Sequence, residues 1–143
     1  MPSMTAERRM AASSVILNTH GISVERKIYA RPESAWDILT DTSKWRMWGP
    51  SVTGVSCPDR YIRKDSTGRI RLPIGLLVPF RVTEYDRGSY WGWKVAGIRA
   101  TGHRLIAQGE RVCRIRFEMP AYWLSYVVVC KTALERIARL LEG

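Results

Sequence analysis

Residues 22–50, ISVERKIYARPESAWDILTDTSKWRMWGP, constrain the fold more than any other stretch of the chain. Ile22, Val24 and Ile28 recur at even spacing, the pattern of a half-buried strand, and Ala35, Trp36 and Leu39 then share one helical face. Pro32 suits the first turn of that helix, where its missing N–H has no hydrogen bond to lose. Thr40-Asp41-Thr42-Ser43 is rich in capping and turn residues, so the helix stops there. Any continuation through Trp45 and Trp48 is short and ends at Gly49-Pro50. A strand, a helix too brief for an ordinary crossover, and a second short helix make an unusual opening.

The rest of the chain is simpler. Residues 52–57 and 69–72 read as strands on either side of two turn signals, Pro58-Asp59-Arg60 and Asp65-Ser66-Thr67-Gly68. Residues 78–85 place Val78, Phe80 and Val82 on one face, with Glu84 continuing that parity. Residues 90–95 place Trp91, Trp93 and Val95 together, and residues 99–107 form a further strand. In residues 112–119, Cys113, Ile115, Phe117 and Met119 alternate with Arg114, Arg116 and Glu118. These segments are joined by hairpin-like turns and form an antiparallel meander. After Pro120 the period changes, and Val127, Cys130, Leu134, Ile137 and Leu141 make a helical stripe. One apolar sheet face and one apolar helix stripe must cover each other. Residues 1–21 are polar and aperiodic and read as a flexible tail, leaving 22–143 as a single domain.

The motif A-x-P-E-x-A-W-D-I-L-T-D, starting at Ala30, followed by W-x-x-W-x-P from Trp45, resembles the SRPBCC superfamily. That superfamily includes START-like lipid carriers, polyketide cyclases and aromatases, and plant pathogenesis-related allergens. The resemblance spans residues 22–142 and implies an α+β helix-grip fold. In it, a curved antiparallel sheet of about seven strands wraps a long C-terminal helix, with two short helices after the first strand. It also implies an elongated apolar cavity between sheet and helix, holding a hydrophobic small molecule such as a lipid, isoprenoid or polyketide, without a cofactor. Two alternatives share the fold: a polyketide cyclase-like enzyme using Arg, His and Tyr as acid–base groups, and a protein-interaction module.

Composition narrows the class. At 143 residues the chain suits one domain with a real core, and its longest apolar runs fall far short of a membrane span. Residues 10–17 are interrupted by Ser13 and Ser14 and make no convincing signal peptide. Three cysteines without a C-x-x-C suit a reducing cytoplasm and argue against a disulfide framework or zinc site. The net charge is +10, but the basic residues are spread along the chain and no nucleic-acid-binding signature accompanies them. Transient contact with an anionic membrane surface suits that charge better than nucleic acid does.

The search for chemistry finds no metal cluster, nucleophile motif or dinucleotide fingerprint. Candidate ligand-binding residues are therefore those with inward parity: Arg26, Phe80, Val82, Trp91, Trp93, His103, Phe117, Val127 and Cys130. Trp91 and Trp93 offer flat surfaces to a flat or greasy ligand, or else they fill the core. Arg26 shares the parity of Val24 and Ile28, and a buried arginine needs a partner, for which Glu84 is the candidate. His103 and Arg26 are the catalytic candidates, because an imidazole titrating near pH 6.5 can move protons in a cavity. Gly102 beside His103 marks a place where a bulge would redirect that side chain. The segment PIGLLVP, residues 73–79, reads as an ordinary buried strand entry, or, as the resemblance implies for apolar loops near the cavity mouth, as a gate able to touch a membrane.

Overall fold

The structure is a computed structural model and describes residues 12–143. Eight antiparallel strands form one sheet in the order β1-β2-β8-β7-β6-β5-β4-β3. They are β1 (Ser14–Asn18), β2 (Gly21–Ile28), β3 (Gly54–Ser56), β4 (Thr67–Arg71), β5 (Leu77–Asp86), β6 (Tyr90–Val95), β7 (Ile98–Gly109) and β8 (Val112–Met119). Helices α1 (Pro32–Thr40) and α2 (Trp45–Trp48) follow β2, and α3 (Val127–Glu142) closes the chain after a 3₁₀ segment, Ala121–Tyr126. This is the helix-grip arrangement, with one more strand than the sequence suggested.

The extra strand is β1, which lies inside the stretch read as a flexible tail. Ser14–Asn18 pairs along its whole length with β2, from Ser14 opposite Glu25 to Asn18 opposite Gly21. All five of its residues are exposed, so it carries no apolar alternation to announce it. The remainder of that tail, residues 1–11, lies outside the described residues.

The core lies between the concave sheet face and α3. Cys130, Ala133, Leu134, Ile137 and Ala138 of α3 are buried against Val24, Ile28, Ile115 and Phe117. The two indoles of α2 explain the short double helix of the opening. Trp45 Nε1 donates to the carbonyl of Leu39 at 3.0 Å, and Trp48 Nε1 donates to that of Ile38 at 2.9 Å. Carbonyls at the end of α1, which have no helical partner, are thus satisfied by the next helix. Buried Asp41 fixes the turn between them, accepting from the Ser43 N–H at 3.0 Å and from Arg60 Nη2 at 3.1 Å. Burial works against ionisation of Asp41, but the bonds from Arg60 and Ser43 outweigh it and hold the carboxyl below its usual range.

Two irregularities of register decide which way the site residues face. Val82 pairs with Trp93 while Glu84 pairs with Gly92, so Thr83 is an extra residue in β5. The bulge reverses the parity beyond it. Glu84 is exposed on the outer face, and Tyr85 turns inward against Trp36 at 6.0 Å. The expected Arg26–Glu84 pair is therefore absent. In β7 the extra residue precedes Gly102, which sits squarely opposite Gly92, and His103 keeps its inward direction.

Gly102 has its own steric reason. A Cβ there would lie 2.2 Å from the Tyr90 hydroxyl and 2.8 Å from its ring, which lies on the outer face beneath the Arg104 guanidinium at 4.5 Å. Gly102→Ala is expected to cost about 1–3 kcal/mol, because Tyr90 must leave that position. Urea unfolding checks this, and the cost should largely disappear in a Tyr90→Ser background. An equal cost in both backgrounds would place the strain elsewhere.

Candidate functional site

One cross-strand row forms the floor of the site. Trp91 of β6 stands opposite His103 of β7, which stands opposite Phe117 of β8, which stands opposite Val24 of β2. Trp45 stacks on Trp91 with ring centroids 5.3 Å apart and planes 7° from parallel, and His103 stacks on Trp91 at 3.7 Å. Trp93 meets Trp45 edge-on at 5.4 Å, and Trp48 stacks on Phe117 at 5.9 Å. The result is an aromatic box under α3, with the two indoles of α2 as its side wall.

Four polar groups within the box form a hydrogen-bonded chain. His103 Nδ1 lies 3.2 Å from the Trp91 carbonyl, which only accepts, so the proton sits on Nδ1. Nε2 is then an acceptor, 3.2 Å from Thr101 Oγ1, and the Thr101 hydroxyl donates to it. Thr101 Oγ1 in turn accepts from Trp93 Nε1 at 3.0 Å. Burial pushes the imidazole down to about 3, against the opposing bond to the Trp91 carbonyl, so His103 is neutral at physiological pH. Both its nitrogens are in use. An imidazole lowered to about 3 is a weak base at neutral pH, far from the value near the working pH that general acid–base catalysis favours.

The void enclosed by the box is about 40 Å³, room for a few water molecules. Ligand pockets usually reach about 300–1,000 Å³. The elongated cavity implied by the family resemblance is thus largely filled, chiefly by indole rings. Among the described residues, no charged side chain lines the void. Its lining takes in the α2–β3 loop at Gly49, Pro50 and Ser51, together with Tyr126 and Val129. There the hydroxyls of Ser51 and Tyr126 share a hydrogen bond that joins this loop to the start of α3. Burial raises the Tyr126 phenol, against the opposing bond to Ser51, and the hydroxyl keeps its proton.

Of the residues selected from sequence, Trp91, Trp93, His103, Phe117 and Cys130 line this void. Phe80 and Val82 are buried nearby, Phe80 against Trp45 and Trp93, but neither reaches the void. Val127 is replaced in the lining by its neighbours Tyr126 and Val129. Arg26 faces inward one row further along, opposite Ile115, away from the lining. Its Nε is buried without a partner. Trp45, Trp48, Ser51, Thr101 and Tyr126 were not selected as site residues, although the W-x-x-W spacing was the signal that pointed to two of them. One further polar atom matters. The indole N–H of Trp91 is fully buried and has no hydrogen-bond partner.

A family model described as polyketide cyclase/dehydrase and lipid transport matches residues 19–143. The chain belongs to this family, which is of the SRPBCC type. A comparison with curated proteins finds no match. Among solved structures the chain is similar to EF2215 from Enterococcus faecalis, a conserved protein of unknown function, at 18% identity and a TM-score of 0.62, covering 90% of this chain and 75% of that one. It is also similar to DynU16 of the dynemicin biosynthetic locus, at 18% identity and a TM-score of 0.59. That match covers 85% of this chain but 46% of the other. The Aha1 dimer from Colwellia psychrerythraea matches at 19% identity and a TM-score of 0.61, over 84% of this chain and 94% of that one. At these identities the neighbours establish the fold. The family itself combines enzymes and carriers, so the choice between them rests on the box.

Proposed function

We propose that the protein binds a small, neutral, hydrophobic molecule bearing a hydrogen-bond acceptor, held among the aromatic rings under α3. The observation that carries this reading is the uncharged box with one buried donor, Trp91 Nε1, left without a partner. A buried polar group without a partner costs about 1–3 kcal/mol, which an acceptor on the ligand would recover. Family membership supports a hydrophobic ligand. The enzyme alternative gains no support from His103, which burial makes a weak base, or from Arg26, which lies off the lining.

Entry of a ligand requires the box to widen, and the Ser51–Tyr126 contact is the place to separate. The small void also favours a second reading, a protein-interaction module that works through its surface. A neutral probe, N-phenyl-1-naphthylamine, distinguishes the two through probe fluorescence and quenching of the tryptophans. Binding at micromolar concentration, strengthened several-fold by Ser51→Ala, would support the ligand reading. Among acceptor-bearing aromatic ketones, Trp91→Phe is expected to weaken binding by about tenfold, the loss of one hydrogen bond worth about 1–1.5 kcal/mol. No binding to any of these probes, together with no compound in an organic extract of the native protein, would favour the interaction module.

A further inference from the structure

The connections at one end of the sheet carry a set of features that the aromatic box does not explain. The register brings five of them to this end: the β1–β2 turn, the α2–β3 loop, the β4–β5 turn, the β6–β7 turn and the segment from β8 to α3. Three of these expose large apolar side chains. Ile74, Leu76 and Leu77 stand on the β4–β5 connection, Ile98 follows the β6–β7 turn, and Leu124 and Val128 stand where the chain enters α3. Ile74 is 84% exposed and Val128 70% exposed. The PIGLLVP segment is therefore not a buried strand entry. Gly75, at φ +82°, makes the tight turn that leaves Ile74 and Leu76 projecting on either side of it.

Charge at this end has one sign. Residues 12–24, 42–58, 66–83, 87–109 and 119–134, which supply all five connections, contain no aspartate or glutamate. They do contain exposed Arg46, Arg69, Arg71, Lys94, Arg99 and Lys131. The acid next in sequence to this end, Glu118, is occupied by Arg104 at 2.7 Å. Among the described residues, the other acids lie on α1, within β2 and β5, further along α3, or toward the opposite end, such as Asp86 at the end of β5 and Glu110 in the β7–β8 turn. Two aromatic residues complete the rim. Tyr122 and Trp123 both donate to the Arg99 carbonyl, at 3.1 and 2.9 Å, tying the segment before α3 to the start of β7.

We infer that this end of the sheet is a docking surface for a lipid bilayer containing anionic lipid. The apolar side chains stand on separate loop tips instead of lining a groove, which suits insertion into a fluid interface more than the reading of a protein's shape. The surrounding cations, with no carboxylate among them, match a negative headgroup layer. Tyr and Trp at the rim fit the headgroup level. No helix among the described residues is long and apolar enough to cross a membrane. The inference does not depend on what the box binds.

Vesicle flotation tests it with the whole protein. Vesicles of phosphatidylcholine with 30 mol% phosphatidylserine are expected to bind at least tenfold more protein than phosphatidylcholine alone, and the gain should fall as salt rises from 50 to 500 mM. The double variant Ile74→Asp/Leu76→Asp should lose at least tenfold of that binding. Arg87→Glu makes the same change in net charge at the opposite end and should retain most of it. Circular dichroism of each variant confirms that the exposed turns, not the fold, have changed. Failure to bind the mixed vesicles would overturn the proposal. So would an equal loss in the Arg87 variant, which would mean overall charge alone.

Discussion

Lowering the pH from 7.5 to 5.0 is expected to destabilise the protein by about 2 kcal/mol through His103 alone. The imidazole has its folded value lowered to about 3, first by burial, with only the bond to the Trp91 carbonyl opposing. In the unfolded chain it takes up a proton near pH 6.5, while the folded state stays neutral. Between about pH 6.5 and 3 the unfolded state therefore binds more protons. Stability falls as pH falls, by up to about 1.4 kcal/mol per unit. Measuring urea unfolding at pH 7.5, 6.0 and 5.0 keeps most carboxylates ionised and isolates the effect. His103→Gln should be less stable than the parent at pH 7.5, because it loses the stacking on Trp91, yet its stability should change far less between the two extremes. A parent curve that is flat across this window, or a variant with the same slope, would rule out a neutral buried His103.

The second large effect concerns Trp45. Its ring is 2% exposed and touches Phe80, Trp91 and Trp93, and its N–H satisfies the Leu39 carbonyl. Trp45→Ala is expected to cost about 3–5 kcal/mol, combining lost burial with a cavity beside a well-packed row. Domains of this size are stable by about 5–15 kcal/mol, so the variant should be marginal at 37 °C. Trp36, half-buried against Tyr85 at the edge of the core, should cost clearly less when changed to Ala. Thermal unfolding of the two variants compares them directly. Equal costs would mean that the box is not the mechanical centre of the fold.

Much of the architecture was legible because its key segments follow simple periods. Residues 112–119 alternate without a fault and became the interior strand β8, and the stripe from Cys130 to Ile137 became the buried face of α3. Failures occurred where the period broke for reasons that lie across the sheet. Thr83 is an extra residue only relative to β6, so nothing in residues 78–85 themselves shows that Glu84 turns outward. Strand β1 forms through backbone pairing to β2 with every side chain exposed, and hydrophobic patterning cannot report that. Parity grouped His103 with Thr101 and Leu105 but left its direction open because of Gly102, and the structure buries the ring inward. Its engagement by Thr101 and the Trp91 carbonyl was not legible, because those partners meet only once β6 and β7 are in register. The near-closure of the box has the same origin. It depends on how six rings stack, and a linear pattern carries no information on interplanar angles.

The Ser51–Tyr126 bond gives the interior two sides of unequal firmness. The floor consists of stacked rings, with Trp93, Thr101, His103 and the Trp91 carbonyl linked by hydrogen bonds, and moving it would break several contacts together. The link between the loop and the start of α3 is one pair of neutral hydroxyls, and such a bond contributes about 0.5–1.5 kcal/mol net. An opening that small lies within the range that thermal motion samples. The protein is therefore built like a vessel with a fixed wall and a loosely fastened rim, and on the proposed ligand-binding reading entry is confined to the side on which the first turn of α3 stands.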